Sequence, residues 1–351
     1  MLGSHGRLIP SCTAMKIRAL PELQALERII ELGGSNLESH VVGKVELPGI
    51  GTYPLLTVAM GSKSRDAPAV GYFGGVHGLE RIGAEVVIAY LHNLVMRLQW
   101  DSTLHRQLDG LRLVFIPIVN PGGMVLGTRA NPSGVDLMRN APIDAQDRVP
   151  FLIGGQRFSA GLPWYRGRIS TPMERENSAV CQVVEQELLA RKFSLSVDCH
   201  SGFGVSDRIW FPFAHRRAPI AHLAEVHALT QLFTGSHSNH RYIFEPQSLQ
   251  YLAHGDLWDY LYMRACASTS GVFLPLTLEM GSWLWVKKNP RQLFSRHGIF
   301  NPLIEHRQQR VLRQHMLFLD FLARAAYSHE RWLPLGEDRA KHHSQALDQW
   351  Y

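Results

Sequence analysis

The segment spanning residues 68–97 constrains the fold of this chain more than any other. The apolar run PAVGYFGG predicts a buried β-strand that ends at a pair of glycines, and the following EVVIAYLHNLV predicts a helix. A strand that passes directly into a helix is typical of α/β proteins, whose sheets bind ligands at the carboxyl ends of their strands. His77 and Glu80 lie in this connection, where a ligand site is expected.

Predicted strands and helices alternate along the rest of the chain. Further strands are predicted at VVGKVELPG, YPLLTVAMG, LRLVFIPIV, SLSVDCH and GVFLPLTLEMG. Further helices are predicted at LPELQALERIIELGG, PMERENSAVCQVVEQELLARK, RAPIAHLAEVHALTQLFTG and NPLIEHRQQRVLRQHMLFLDFLARAAY. The alternation predicts an α/β sandwich with a mostly parallel or mixed sheet.

Neither an internal repeat nor a linker divides the chain, so one domain is expected over residues 15–330. Residues 1–14 are predicted to form a disordered extension, with Met15 as a possible translation start. Residues 140–175, rich in Pro, Gly and polar residues, predict a long loop. Residues 331–351 predict a polar, loose C-terminal tail.

Composition argues against two classes of partner. The formal charge of +6 comes from scattered Lys and Arg, and no basic stripe with interleaved aromatic residues indicates a nucleic-acid partner. The chain has no apolar run of about 18 residues that could cross a membrane. Its N-terminus also lacks the apolar core of a secretory signal. A cytoplasmic protein without a membrane partner is therefore predicted, while the sequence gives no indication of its oligomeric state.

His77, Glu80 and His200 predict a zinc site. The chain has 18 histidines, so a chance His-x-x-Glu pair is common, and the position at a strand end gives this pair its meaning. Imidazole and carboxylate suit zinc, whose third protein ligand usually comes from a distant part of the chain. His200, at the end of SLSVDCH, is the candidate. Two His and one Glu leave a fourth position open for water, which is typical of a catalytic site.

Hydrolysis at such a site needs a base, and Glu279 is the candidate. It ends the apolar strand FLPLTLEMGS, where an ionised side chain has no structural purpose unless it faces solvent. Arg129 and Arg139, in GTRANPSGVDLMRN, could polarise a carbonyl and hold a carboxylate, or could simply be surface charges. Asp136 in the same segment could orient either an arginine or a zinc-bound imidazole.

Four segments in the same order resemble the M14 family of zinc metallocarboxypeptidases. GGVHGLE is similar to the first metal motif of that family, VNPGGMVLGTRANPSGVDLMRN to its Asn-Pro-(Asp/Gly)-Gly … Gly-Val-Asp-Leu-Asn-Arg-Asn signature, DCHSG to its second metal motif and TLEMG to its catalytic glutamate strand. The matching segments run from about Val70 to Ser282, the middle of the chain. The terminal regions do not contribute to the resemblance.

The resemblance implies a three-layer α/β/α sandwich with a central mixed, mostly parallel sheet. It also implies one Zn²⁺ per chain, held by His77, Glu80 and His200, with Glu279 as general base and acid. In family members a residue at the base of the side-chain pocket selects the terminal residue, and an acidic one favours Lys or Arg. That position cannot be assigned from the sequence.

By the same resemblance, Arg129 would polarise the scissile carbonyl and Arg139 would bind the terminal carboxylate. Tyr251, in QYLAHGDLWDY, matches the mobile tyrosine that closes over substrate in digestive-type members, although a packing role is equally consistent with its position. The family usually has Asn before the signature Arg, where this chain has Met138, which cannot donate a hydrogen bond. Losing a donor to a charged group costs about 1.5–3 kcal/mol of recognition. Residues 140–175 are expected to shape the rim of the site.

Three functions are compatible with these residues. The first is a zinc-dependent hydrolase that cleaves a peptide or amide bond next to a C-terminal carboxylate. The alternative is an N-acyl amino acid deacylase of the aspartoacylase or succinylglutamate desuccinylase type, which shares the His-x-x-Glu … His site. HGDLWDY and TLEMG fit the first better. The third is a non-catalytic binding protein, which Met138 allows but the presence of all three ligands and Glu279 opposes. The expected partner is a peptide or N-acyl amino acid substrate with a free carboxylate.

Overall fold

The structure, a computed structural model, describes residues 19–268 and 271–351. The extension predicted over residues 1–14 and the possible start at Met15 lie outside the described residues. Eight described strands form one sheet, and their bounds are β1 (Glu38–Leu47), β2 (Gly51–Gly61), β3 (Ala69–Gly74), β4 (Arg112–Ile116), β5 (Phe193–Ser201), β6 (Arg208–Phe211), β7 (Ile243–Pro246) and β8 (Val272–Met280).

Helices connect and cover these strands. Their bounds are α1 (Pro21–Gly33), α2 (Arg81–Arg97), α3 (Ser102–Asp109), α4 (Pro121–Leu126), α5 (Arg175–Val184), α6 (Leu223–Ser236), α7 (Leu257–Ser268), α8 (Trp283–Lys288), α9 (Glu305–Tyr327), α10 (His329–Trp332) and α11 (Gly336–Trp350). Of the helices described, none has the length and apolar character needed to cross a membrane.

The sheet is mixed. Its strands lie in the order β1-β2-β4-β3-β5-β8-β6-β7. The pairs β4/β3, β3/β5, β5/β8 and β6/β7 are parallel, and the other three neighbouring pairs are antiparallel. The predicted mixed, mostly parallel sheet of an α/β fold is therefore confirmed.

Consecutive residues of β3 show that helices cover both faces of the sheet. The Tyr72 hydroxyl donates to the Leu319 carbonyl of α9 at 2.9 Å. Neighbouring residues of a strand point to opposite faces. In agreement, the Phe73 ring lies 4.9 Å from the Trp258 ring of α7, centroid to centroid. Helix α9 and helix α7 thus form the outer layers of the predicted three-layer sandwich.

The parallel strands β3, β5 and β8 bring their carboxyl ends to one edge of the sheet. In the register of these strands, Gly74 pairs with Cys199 and His200 pairs with Glu279. Because parallel strands all end at the same edge, residues far apart in sequence become neighbours there. The connection after β3, which carries the His-x-x-Glu pair, begins at this edge.

Glycines let helix α2 pack directly on the strands at this edge. A Cβ atom added to Gly83 would lie 2.1 Å from the Cys199 carbonyl oxygen of β5. A Cβ atom added to Gly74 would lie 2.8 Å from the Gly83 carbonyl oxygen. Helix α2 begins one residue after Glu80, so this close packing sets the position of that residue relative to His200.

The prediction that residues 331–351 form a loose tail is wrong. Residues Gly336–Trp350 form helix α11, which packs against α6. Ala346 and Trp350, four residues apart, lie on one face of α11 and are buried, and the Trp350 indole donates to the Phe244 carbonyl at 2.8 Å. A polar sequence with few apolar residues still forms an amphipathic helix when those residues share a face.

The loop predicted over residues 140–175 contains no helix or strand before α5 begins at Arg175. An isolated β-bridge joins Gln156 to Tyr165 and closes the segment on itself. The Gln156 side chain donates to three backbone carbonyls between residues 159 and 163. Backbone and side-chain hydrogen bonds therefore stabilise the middle of this loop, over residues 156–165.

We predict that Gly83→Ala lowers the free energy of unfolding by about 1–3 kcal/mol, because the added methyl group would overlap the β5 backbone. Gly235→Ala is the matched control, since a Cβ atom added to this helical glycine has nothing within 4 Å. The control should leave stability unchanged or slightly raise it. Urea unfolding of both variants checks this, and equal stability of the two would contradict the close approach of α2 to β5.

Candidate metal centre and active site

His77, Glu80 and His200 meet at the sheet edge. All three side chains are buried, and one potential ligand atom from each lies within 4.8 Å of the others. His77 follows β3, Glu80 directly precedes α2, and His200 is the second-last residue of β5. The three residues that the sequence predicts as zinc ligands are therefore brought together.

A tight turn and one asparagine hold the His-x-x-Glu segment. The Glu80 backbone NH donates to the His77 carbonyl at 3.0 Å. The Asn301 amide donates to the Leu79 carbonyl and its oxygen accepts from the Ile82 NH, at 2.8 and 2.9 Å. Asn301 thus joins the turn to the first turn of α2.

Both imidazoles turn the same atom toward Glu80. The Nδ1 atom of His77 lies 2.8 Å from Glu80 Oε1, and the Nδ1 atom of His200 lies 3.0 Å from Glu80 Oε2. On the far side of each ring, Nε2 lies 3.1 Å from Asp136 and 2.7 Å from Asp198, respectively. A carboxylate that accepts the Nε2 proton leaves the Nδ1 lone pair free for a metal, an arrangement common at zinc sites.

Carboxylates outnumber cations around the two imidazoles. The acidic side chains buried here are Glu80, Asp136, Asp198 and Glu279. A cavity opens at this cluster, and its lining includes two guanidinium groups, those of Arg129 and Arg139. The carboxylates therefore outnumber the guanidinium groups, and a divalent cation would offset part of this excess of negative charge. The donor atoms and the charge of the site both fit zinc.

Asp136 contacts both an arginine and the imidazole of a predicted zinc ligand, the two partners that the sequence left as alternatives. One carboxylate oxygen accepts from Arg129 Nε at 2.9 Å, and the other faces His77. Burial alone would raise the pKa of Asp136, but the positive charge of Arg129 and the hydrogen bond with His77 hold that pKa well below its usual range. Asp136 therefore stays ionised and connects the arginine to the metal ligand. Arg129 also donates to Glu80 at 3.0 Å.

Glu279 faces the same cavity from the end of β8. Its side chain is 7% exposed, and its position in register with His200 places it beside the three ligands. Burial, followed by the negative charge of Glu80, raises the pKa of Glu279 to about 8. Glu279 is therefore not the solvent-facing residue that the sequence left as the alternative.

Arg139 and Tyr251 lie together on the cavity wall. The Arg139 guanidinium donates to the carbonyls of Ile153 and Met138 and lies 3.5 Å from the Tyr251 hydroxyl. Arg139 is buried, whereas Tyr251 is partly exposed. Met138 also lines the cavity and offers no polar group at the position where the family signature has Asn.

The cavity has a volume of about 990 Å³, the size of a small-molecule site. Pro150, Ile153, Pro163 and Trp164 contribute to its lining from the loop over residues 140–175. The expectation that this loop shapes the rim of the site agrees with these positions.

Two buried acidic residues at the site were not singled out from the sequence. Asp198 accepts from the Trp258 indole at 2.9 Å as well as facing His200. The sequence indicates this contact, because Asp198 and His200 are two residues apart in β5 and side chains at that spacing share a face of the strand. Asp256 caps α7 through one oxygen, and its other oxygen is buried without a hydrogen-bond partner among the described residues. Burial, followed by the charge of Asp259, raises the pKa of Asp256 to about 7.

The sequence profile of the zinc carboxypeptidase family, peptidase M14, matches residues 50–282. The chain belongs to this family of zinc metallopeptidases. A curated relative, carboxypeptidase D of Anas platyrhynchos, is 25% identical over 178 residues, which cover 46% of this chain and 11% of that protein. The M14 chain thus spans a small part of that relative's length.

Solved structures share the fold of this M14 chain. Carboxypeptidase A from Helicoverpa armigera superposes with a TM-score of 0.65 at 18% identity, over 89% of this chain and 74% of that one. Bovine thrombin-activatable fibrinolysis inhibitor, solved with a tick carboxypeptidase inhibitor, gives 0.63 at 18% identity, over 90% and 99%. The family is zinc-dependent, in agreement with the cluster of potential metal ligands formed by His77, Glu80 and His200.

We predict that Asp198→Asn weakens zinc affinity by about 10- to 100-fold, because the His200 ring loses the carboxylate that orients it. Asp259→Asn is the matched control, since Asp259 makes a similar buried contact with His215, at 2.6 Å, outside the metal cluster. The control should lose stability but keep its zinc affinity. Competition with a chromogenic chelator measures both affinities. An unchanged affinity in Asp198→Asn would remove Asp198 from metal binding.

Proposed function

We propose that this chain is a zinc-dependent hydrolase that cleaves a peptide or amide bond next to a C-terminal carboxylate. The observation that carries the proposal is the convergence of Glu279, three metal-type ligands and Arg139 on a single cavity. These are the groups required to activate water, hold the substrate and move a proton. His77, Glu80 and His200 would hold the zinc.

When bound, zinc would supply Lewis-acid polarisation of the scissile carbonyl and of the attacking water. Glu279 then acts as the base, accepting a proton from the attacking water. The same carboxyl group afterwards donates that proton to the leaving amine, so that the amine departs neutral. Burial of Glu279 supports both steps, because it raises the pKa of the carboxyl group. The carboxylate is then a stronger base toward the attacking water, and the protonated form is still acidic enough to donate to the leaving amine.

Arg129 would stabilise the negative charge that develops on the carbonyl oxygen. Its guanidinium is fixed by Asp136 and Glu80, so little reorganisation is needed during the reaction. Arg139 would bind the terminal carboxylate through its remaining N–H groups, with the Tyr251 hydroxyl beside it. Met138 leaves this carboxylate with one donor fewer than the family signature provides.

An N-acyl amino acid deacylase is the alternative function. It would use the same metal ligands and Glu279. Its substrate would differ on the carbonyl side of the scissile amide bond, where it would carry an acyl group instead of a peptide. The match of residues 50–282 to the zinc carboxypeptidase family supports the peptidase assignment. A binding protein without activity is disfavoured by Glu279, a carboxyl group buried beside the three metal-type ligands.

We further propose that Asp256 selects a basic residue at the substrate's C-terminus. Asp256 lines the cavity, and one of its oxygens has no hydrogen-bond partner among the described residues and no role in metal binding or in the proposed proton transfer. The surrounding walls include Ile153, Trp164 and Trp210, which suit the methylene stem of a Lys or Arg side chain. A positively charged end group beside Asp256 would compensate a charge that is costly to bury.

We predict that Glu279→Gln retains zinc and substrate binding while turnover falls by about 10²–10⁴-fold, because glutamine cannot accept the proton. Glu176→Gln, which changes an equally buried glutamate of α5, is the control and should keep wild-type turnover. Hydrolysis of acylated dipeptides with a free carboxylate, measured with zinc content, checks this. Undiminished hydrolysis in Glu279→Gln would place the base elsewhere.

We predict that Arg139→Ala lowers kcat/KM by about 10- to 100-fold for peptides with a free terminal carboxylate, mainly through KM. Amidated forms of the same peptides should be affected much less, and Arg139→Lys should recover part of the loss. Equal losses on both substrate forms would remove Arg139 from carboxylate recognition. A preference for N-acyl amino acids over peptides in the wild type would instead favour the deacylase.

We predict that Asp256→Asn lowers the ratio of kcat/KM for terminal Lys over terminal Leu by about tenfold or more. Asparagine keeps the oxygen that caps α7, so the fold should be retained. Asp256→Glu, which keeps the charge, should preserve part of the preference. Initial rates on paired peptides that differ only in the last residue give the ratio, and an unchanged ratio would show that another residue sets the specificity.

A further inference from the structure

A second cavity, with a volume of about 1070 Å³, lies next to the substrate cavity. Helix α8 contributes to both: Trp283 and Val286 line the first cavity, and Lys287 and Lys288 line the second. The first half of α9, the segment from α6 to β7 and residues 205–207 also line the second cavity. The proposed hydrolysis uses none of the residues that line it.

The second cavity is strongly basic. Its charged lining consists of the cations Arg241, Lys287, Lys288, Arg307 and Arg310 and the anion Asp207. Asp207 is already engaged, because it accepts from the Gly281 backbone NH and the Gln314 amide. Within residues 19–268 and 271–351, no ion pair compensates any of the five cations. Four histidines, His237, His240, His306 and His315, also line the cavity.

Helix stability accounts for the two lysines but not for the two arginines. Lys287 and Lys288 lie in the last turn of α8, where the helix dipole favours positive charge. Arg307 lies in the first turn of α9, where the same dipole opposes positive charge, and Arg310 lies in the next turn. The two arginines are three residues apart and therefore neighbours on one face of the helix. Their position next to the two lysines concentrates positive charge without a structural benefit.

We propose that this cavity binds a compact polyanion that carries phosphate groups. Arginine guanidinium groups bind phosphate through paired hydrogen bonds, and lysines add mobile point charges. Uncompensated cations in a concave surface also concentrate anions from solution. A cavity of this volume suits a small molecule, whereas an acidic peptide would need a longer open groove. The site is distinct from the zinc cluster and does not depend on the proposed hydrolysis.

Titration calorimetry with inorganic triphosphate tests the proposal. The wild-type chain should bind this probe, and raising the salt concentration should weaken the binding, because salt screens exposed charges. Arg307→Gln/Arg310→Gln should weaken binding by about tenfold or more. The matched control, Arg313→Gln/Arg331→Gln, removes two exposed charges outside the cavity and should change affinity by less than about twofold.

Two further arms complete the test. Triphosphate chelates zinc, so the titration is repeated with Glu80→Ala, in which binding should persist. If the Arg307/Arg310 double variant does not fold, Lys287→Gln/Lys288→Gln takes its place and should weaken binding in the same way. Absent binding, equal losses in the cavity and control variants, or loss of binding in Glu80→Ala would each overturn the proposal. Tighter binding of a hexaglutamate peptide than of triphosphate would overturn the assignment to a compact phosphate-bearing ligand.

Discussion

The buried carboxylate of Glu80, held between the imidazoles of His77 and His200, is the interaction on which the rest of the site depends. An ionised carboxylate is costly to bury, and the fold compensates that cost with the two rings and with Arg129. The backbone contact between Gly83 and β5 fixes the distance from Glu80 to His200. A helix packed even slightly farther away would separate the ligands. The chemistry of the site therefore rests on a packing constraint at a glycine.

Much of this arrangement could be predicted from the sequence, because the ligands lie at the ends of apolar strands. His77, His200 and Glu279 were identified in this way, since parallel strands of one sheet end at the same edge. Asp198 could have been found from its spacing to His200. Asp256 could not, because the free oxygen that distinguishes it from an ordinary helix cap depends on three-dimensional contacts. Helix α11 was missed because its few apolar residues face α6, which is itself distant in sequence.

The two cavities divide the molecule into surfaces of different character. The proposed substrate cavity is lined by apolar side chains together with the metal-type ligands and other polar groups. The second cavity carries five cations, and none of them forms an ion pair with the described residues. Helix α8 is the wall that they share, with Trp283 on one side and Lys287 on the other. A ligand in the basic cavity would therefore contact the same six-residue helix that lines the substrate cavity.

Elemental analysis of the purified chain, with wild type compared to Glu80→Ala, tests the central claim most directly. The account predicts about one zinc per wild-type chain and none above background in the variant, because three protein ligands with an open position are needed to retain the metal. Circular dichroism of both proteins would establish that the variant is folded. A wild-type chain that neither carries zinc nor takes it up when zinc is added would contradict the account. Equal zinc content in the two proteins would also contradict it, by placing the metal at another site.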